Sequence, residues 1–176
     1  LLNAPPQPDD RVHSLRCMLG AGLSADTWTR WLERFGPIQV FEGWGSTEAN
    51  TAIINVDNYI GSCGRVPDWN KTNFRLVRYD VETESHPRDE NGRYILCQPG
   101  EVGEGIGYIV NHPEIGGGRF EGYTSEEATE KKILRNVFTD GDAFWSSGDL
   151  LRYDENGYFY FVDRIGDTFR WKSENV

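Results

Sequence analysis

Apolar positions change their period along the chain, and each change predicts a different element. Residues 1–13 carry Pro5, Pro6 and Pro8 and read as a linker or loop. A short apolar stretch, Leu15 to Leu19, runs into Gly20-Ala21-Gly22-Leu23. Ser24 then stands where a helix cap belongs. Trp28, Trp31, Leu32 and Phe35 recur at helical spacing, and Gly36-Pro37 ends the pattern. Ile38 to Phe41 is a short buried strand that leads into Phe41-Glu42-Gly43-Trp44-Gly45-Ser46-Thr47-Glu48-Ala49-Asn50. Strand, helix, strand and a glycine-rich turn make an α/β pattern, and such sheets bind ligands beyond the carboxyl ends of their strands.

After residue 50 the pattern becomes mainly β. Phe74 to Val81, Tyr94 to Leu96 and Gly107 to Val110 are strand candidates. Asp89-Glu90-Asn91-Gly92 and Asp154-Glu155-Asn156-Gly157 are turns of hairpin type, the second joining Leu150–Tyr153 to Tyr158–Val162. One helix is expected over residues 125–137, with Thr124 and Glu127 as its capping box. The expected fold class is therefore α/β followed by mainly β. Residues 1–50 would end an α/β subdomain, 51–162 would form a small β-barrel-like or packed-sheet subdomain, and 163–176 would be a hinge and the start of a further domain.

Composition narrows the function classes. The 176 residues are 38% hydrophobic and 13% aromatic, which argues against disorder. A formal charge of −10 argues against nucleic acid as a partner. It leaves room for a nucleotide, because local donors can hold phosphate on an acidic protein. Cys17, Cys63 and Cys97 are odd in number and widely spaced, so neither a disulfide framework nor a zinc pattern follows, and a reducing compartment is expected. No apolar run approaches the roughly 20 residues of a membrane span, and no signal peptide opens the chain. The chain starts without methionine and stops in mid-pattern at Trp171–Val176, which reads as an excerpt of a longer polypeptide.

Candidate chemistry collects in two places. An ATP-dependent activating site needs an aromatic surface for adenine, hydroxyl or amide donors for phosphate, a carboxylate for magnesium, and an acceptor for ribose hydroxyls. Trp44, Thr47 and Glu48 supply the first three, and Asp149, in Ser146-Ser147-Gly148-Asp149, supplies the fourth. The plain alternative is that Gly45 and Ser46 make a turn with Thr47 and Glu48 on its wet side. Other chemistry-bearing residues read as structure. Trp28, Trp31 and Phe35 are core, and Lys131-Lys132 is a solvated helix face. Gly116–Gly118 is a loop, and His13, His86 and His112 are scattered without metal or triad spacing. Glu101, Glu104, Asp140 and Asp142 are turn residues.

The order of these motifs resembles the adenylate-forming superfamily of acyl-CoA synthetases, luciferases and peptide-synthetase adenylation domains. Within it, residues 119–134 (RFEGYTSEEATEKKIL) and 161–176 (FVDRIGDTFRWKSENV) look like the very-long-chain acyl-CoA synthetase and fatty acid transport protein family. The resemblance covers nearly the whole chain. It implies ATP, Mg²⁺ and coenzyme A as cofactor and co-substrates and a fatty acid as substrate. Trp44 would stack on adenine, with Gly45 and Ser46 beside it. Thr47 would contact phosphate and Glu48 would hold Mg²⁺, the pair counting as catalytic. Gly20, Ala21 and Gly22 would lie along adenine, Asp149 and Arg164 would bind ribose, and Gly166 would be the hinge.

Ser147 replaces the usual threonine, and Ser173 replaces a usual glycine, which bears on the thioester stage. The family's phosphate loop is expected before residue 1 and its catalytic lysine after residue 176, Lys172 being a different one. The chain alone is therefore expected to be inactive. A ligase for another acid (bile acid or carnitine-like), a non-catalytic fatty acid uptake or binding protein, and a plain β-rich domain remain the alternatives. A cytoplasmic location or peripheral membrane association is expected.

Overall fold

A computed structural model describes residues 1–110, 120–122, 124–166, 170–171 and 174–175. His112, Gly116–Gly118, Lys172 and Ser173 lie outside the described residues. In chain order the strands are β1 (Cys17–Leu19), β2 (Gln39–Trp44), β3 (Ile53–Asn55), β4 (Gly64–Arg65), β5 (Phe74–Arg78), β6 (Val102–Tyr108), β7 (Ile133–Arg135), β8 (Ala143–Tyr153), β9 (Tyr158–Arg164), β10 (Arg170–Trp171) and β11 (Glu174–Asn175). The α-helices are α1 (Ala25–Phe35) and α2 (Glu126–Glu130).

Helix α1 forms for local reasons. Ser24 is extended and its hydroxyl accepts from the Thr27 amide at 3.2 Å, and Asp26 lies in the first turn. Gly36, at φ +92°, closes the other end by donating to the Leu32 carbonyl at 2.9 Å. The buried face carries Trp28 and packs on Ile38 and Val40. Residues 1–13 are not a free linker. Arg34 in the last helical turn binds the carbonyls of Ala4 (2.7 Å) and Pro5 (2.9 Å) and the Asp10 carboxylate (2.7 Å), and His13 reaches the Phe35 carbonyl at 2.8 Å. Helix carbonyls and proline-rich backbone are thus satisfied together, which no local pattern announces.

Strands β1 and β2 run parallel on either side of α1 in sequence, and β3 returns antiparallel to β2, giving a three-stranded sheet among the described residues. The second sheet has the order β4-β9-β8-β6-β5, with β7 also on β8. Its outer strands, β4 and β5, do not pair with each other, so it is an open strand-rich sheet rather than a closed barrel. One core cluster joins the two sheets: Trp44 and Ile53 come from the first, and Phe74, Leu76, Trp145, Leu151 and Phe159 from the second. Phe74 sits edge-on to both Trp44 and Phe159 at 5.3 Å between ring centroids. Truncating such a ring costs about 3–5 kcal/mol, so Phe74→Ala would loosen both sheets at once.

Several expectations need correction. The helix expected over residues 125–137 is only α2, and Ile133–Arg135 is strand β7, paired with Ala143–Trp145. The helix-forming residues 126–130 bury nothing, whereas Ile133 and Leu134 gain strand partners, so tertiary pairing overrides propensity. The cap is Ser125, which accepts from the Ala128 amide at 3.3 Å, not the Thr124–Glu127 box. Tyr94–Leu96 makes only isolated bridges, to Arg88 and Val77. The strand expected at Gly107–Val110 starts at Val102 and ends at Tyr108. It therefore takes in Glu104, which is 1% exposed in mid-strand and is no turn residue. Glu101 is one: it accepts the Gln98 amide (2.8 Å) and both arms of Arg78. Both expected hairpin turns are present, with Gly92 and Gly157 at positive φ.

All three cysteines are free. Burial pushes the thiols of Cys63 and Cys97 up to about 12, whereas Cys17 is exposed. At pH 8 iodoacetamide should label Cys17 alone in the folded protein and all three in guanidinium. Rapid native labelling of Cys63 would contradict the core placement.

Candidate functional site

The site is built from three pieces of backbone. Strand β1 ends at Leu19, and Gly20 continues the sheet by donating to the Phe41 carbonyl at 2.8 Å before the chain turns into α1. Beneath this turn lies Glu42. Along β2 the inward face alternates Val40, Glu42, Trp44, all buried. The Glu42 carboxylate accepts from the amides of Gly22 (2.7 Å) and Leu23 (3.3 Å). Burial pushes its carboxyl above the ordinary value, against the pull of the Gly22, Leu23 and Gly43 amides. A β-carbon on Gly20 would run into the same carboxylate, so a larger residue there would push Glu42 off the Gly22 and Leu23 amides. Glu42 was missed by sequence reading, although a lone acid on the inward face of an apolar strand is a usable signal.

Trp44 comes next on that face. Its ring is 7% exposed and lies in the core, and its Nε1 donates to Asp149 Oδ2 at 2.9 Å. Asp149, on β8, faces Arg164 on β9 in register, and Arg164 Nε donates to Asp149 Oδ1 at 2.8 Å. The pair is mostly buried, at 12% and 21% side-chain exposure, so it is screened less than a surface pair. Each carboxylate oxygen keeps a further lone pair, which leaves Asp149 able to accept from a ligand hydroxyl. Gly148 adopts φ +76°, and the Ser147 hydroxyl accepts from the Asp149 amide at 2.9 Å. Gly166, two residues past Arg164, is at φ +95°, and no atom of the described residues lies within 4 Å of where a β-carbon would sit.

Trp44, Ala21, Gly22, Gly45, Cys63 and Asp149 all line a cavity of about 560 Å³. Gly20 lines an adjoining cavity of about 540 Å³, which shares Ala21 and Gly22. Ser46, Thr47 and Glu48 lie on the turn beyond Gly45, and Arg164 sits behind Asp149, so neither group lines these cavities. In the turn the Thr47 hydroxyl donates to Glu48 at 3.3 Å. Desolvation would raise the Glu48 carboxyl, but its own amide, the Ser46 and Thr47 hydroxyls and the Arg164 charge outweigh it and hold it below the ordinary value. Glu48 is thus an ionised, accessible carboxylate. Among the described residues no group of three or more His, Cys, Asp or Glu could cage a metal. A single carboxylate of this kind suits Mg²⁺, which keeps waters and takes its other ligands from substrate phosphates.

Trp44→Phe isolates one bond here. Phenylalanine refills most of the ring volume but leaves Asp149 Oδ2 without its donor. The expected cost is about 1–3 kcal/mol, read as a lower urea midpoint with an unchanged slope. An unchanged midpoint would mean the 2.9 Å contact is not made in solution.

The chain matches the AMP-binding enzyme family over residues 1–104. It is 41% identical to long-chain fatty acid transport protein 5 of Mus musculus over its whole length, covering 25% of that protein. It is 44% identical to long-chain fatty acid transport protein 1 of Homo sapiens, again over its whole length and 27% of that protein. The chain therefore spans about a quarter of the length of these relatives. Among solved structures, ATP-bound MatB from Rhodopseudomonas palustris superposes with a TM-score of 0.58 at 24% identity, over 92% of this chain and 27% of that one, a likeness of fold. The chain belongs to the AMP-binding, adenylate-forming enzyme family and is similar within it to the long-chain fatty acid transport proteins.

Proposed function

We propose that the complete protein carrying this chain is an ATP-dependent ligase that joins long-chain or very-long-chain fatty acids to coenzyme A. In the first step a carboxylate oxygen of the acid attacks the α-phosphorus of ATP, an O–P bond forms, and pyrophosphate leaves. In the second, the coenzyme A thiol loses its proton, its sulfur attacks the acyl carbon, and AMP leaves. The observation that carries this reading is Asp149, held by Trp44 and Arg164 on the wall of a cavity shared with the Ala21-Gly22 loop. Similarity to the fatty acid transport proteins supports the acyl substrate.

The residues divide the work. Gly20, Ala21 and Gly22, fixed from below by Glu42, lie along adenine, and Trp44 and Gly45 wall its far side. Asp149 accepts from the ribose hydroxyls, and Arg164 keeps Asp149 aimed. Ser46 and Thr47 donate to phosphate oxygens. Glu48 holds Mg²⁺, which neutralises phosphate charge when bound. Gly166, free in φ, serves as the hinge between residues 1–162 and the segment that follows.

The names of the relatives favour uptake as the physiological setting: esterification to coenzyme A would trap a fatty acid that has crossed a bilayer. The protein would then act in the cytoplasm or at a membrane surface. No helix of the described residues is long and apolar enough to cross a membrane. Ligation of a bile acid or a carnitine-like acid is the competing substrate assignment.

Fatty acid-dependent exchange of labelled pyrophosphate into ATP tests the proposal. The complete protein should show exchange with long acids and form the thioester when coenzyme A is added. Residues 1–176 alone should show none, because the attacked α-phosphate and the departing pyrophosphate need more cationic stabilisation than the described residues offer. No exchange by the complete protein with any fatty acid, bile acid or carnitine-like acid would remove the ligase reading in favour of a binding protein.

A further inference from the structure

Strands β6 and β8 pair Glu104 with Leu150 and then Ile106 with Ser146, so four residues of β8 span what two of β6 span. The excess is a bulge, Ser147-Gly148-Asp149, and it leaves the Gly148 amide without a strand partner on β6. Glu104 fills the gap. It is 1% exposed, and its Oε1 accepts from the Ser146 hydroxyl at 2.6 Å and the Gly148 amide at 2.7 Å. Its Oε2 meets His86 Nε2 at 2.6 Å. His86 is itself held between the rings of Tyr79 (5.1 Å) and Tyr94 (4.9 Å). A carboxylate is costly to bury and persists only when its lone pairs are used, as here. Bulges re-aim side chains, and this one turns Asp149 toward Trp44 and Arg164.

We infer that Glu104, clamped by His86, is a positioning residue that sets the angle of Asp149 toward the nucleotide ribose. It does not line the cavity and acts only through the bulge. The inference rests on the nucleotide reading of Asp149 given above. Its geometry predicts an asymmetry between two substitutions. Glu104→Ala takes away the acceptor that the Gly148 amide, the Ser146 hydroxyl and His86 Nε2 share at these half-buried positions, and frees the bulge to shift. Glu104→Gln places its amide oxygen at Oε1, where both donors are kept, and turns its amide N–H toward a His86 nitrogen that a neutral ring can offer as acceptor.

The test uses the complete protein and measures KM for ATP, KM for the fatty acid, kcat and Tm. Glu104→Ala should raise KM for ATP about tenfold or more, with a smaller change in KM for the fatty acid. Glu104→Gln should bring it back to within about threefold of the parent. Ser146→Ala, which removes one Glu104 bond and should shift Tm by only a few degrees, about 2–4 °C, is expected to raise KM for ATP severalfold, and it decides the matter if Glu104→Ala does not fold. A parent-like KM for ATP in folded Glu104→Ala or in Ser146→Ala overturns the inference, as does a Glu104→Gln enzyme as impaired as the alanine variant. Asp149→Ala run alongside separates the failures. If it too leaves KM for ATP unchanged, the nucleotide reading has failed; if it alone raises KM, only the positioning role has.

Discussion

Replacing Asp149 by alanine in the complete protein is expected to weaken ATP binding by about two orders of magnitude, the effect of losing two hydrogen bonds to a charged acceptor. The substitution removes the acceptor for both ribose hydroxyls. It also frees Arg164 Nε and Trp44 Nε1, which now donate to it at 2.8 and 2.9 Å. Breaking a mostly buried ion pair by deleting one partner costs about 3–5 kcal/mol of stability, so affinity must be measured on protein shown to be folded. Asp149→Asn separates charge from shape. Its oxygen can accept from Trp44 or from Arg164 but not both, because its amide N–H would meet the remaining donor. It should fold better than the alanine variant and still lose most of the ATP affinity. Titration of ATP by equilibrium binding checks both variants, and an unchanged affinity in either would sink the site assignment.

Glu48→Gln is expected to lower kcat by about 10²–10³-fold, the usual scale for removing one electrostatic contact to the transition state. Fatty acid KM should hardly move, and the Mg²⁺ concentration for half-maximal rate should rise. The carboxyl of Glu48 is held below its ordinary value despite desolvation, through its own amide, Ser46, Thr47 and the Arg164 charge. A depressed folded-state value means the charged form is present throughout the neutral range, and its contribution is lost only as pH falls through that lowered value. The parent rate should therefore show no loss from this group above its ordinary pKa. Removing the Arg164 charge should shift that acid limb upward. A Glu48→Gln enzyme with parent kcat and parent Mg²⁺ dependence would leave Glu48 as a turn residue and no more.

Much of this was legible along the chain where the causes are local. Helix α1 announces itself through Ser24, the Trp28–Phe35 spacing and Gly36, all within a few residues. The β8–β9 hairpin does so through Asp154-Glu155-Asn156-Gly157. What stayed hidden depends on partners far away. Trp44 reads as an aromatic for stacking, but its nearest polar partner is Asp149, 105 residues on. Glu104 reads as a turn acid because two glycines flank it, yet the bulge it fills belongs to another strand. Residues 131–135 look helical because the preceding Glu-rich stretch is, and only pairing with β8 makes Ile133–Arg135 a strand. Glu42 sat in plain view on an inward face, and the alternation around it was the missed cue.

The central claim is that nucleotide occupies the cavity between the Gly20–Gly22 loop, Trp44 and Asp149. A crystal structure of the complete protein with a fatty acyl-sulfamoyl adenosine, a stable mimic of the acyl-adenylate, tests it most directly. The account predicts ribose hydroxyls within hydrogen-bonding distance of the Asp149 carboxylate and adenine against Gly20–Gly22. Well-ordered density for the nucleoside anywhere else, with Asp149 still bonded only to Trp44 and Arg164, would contradict it.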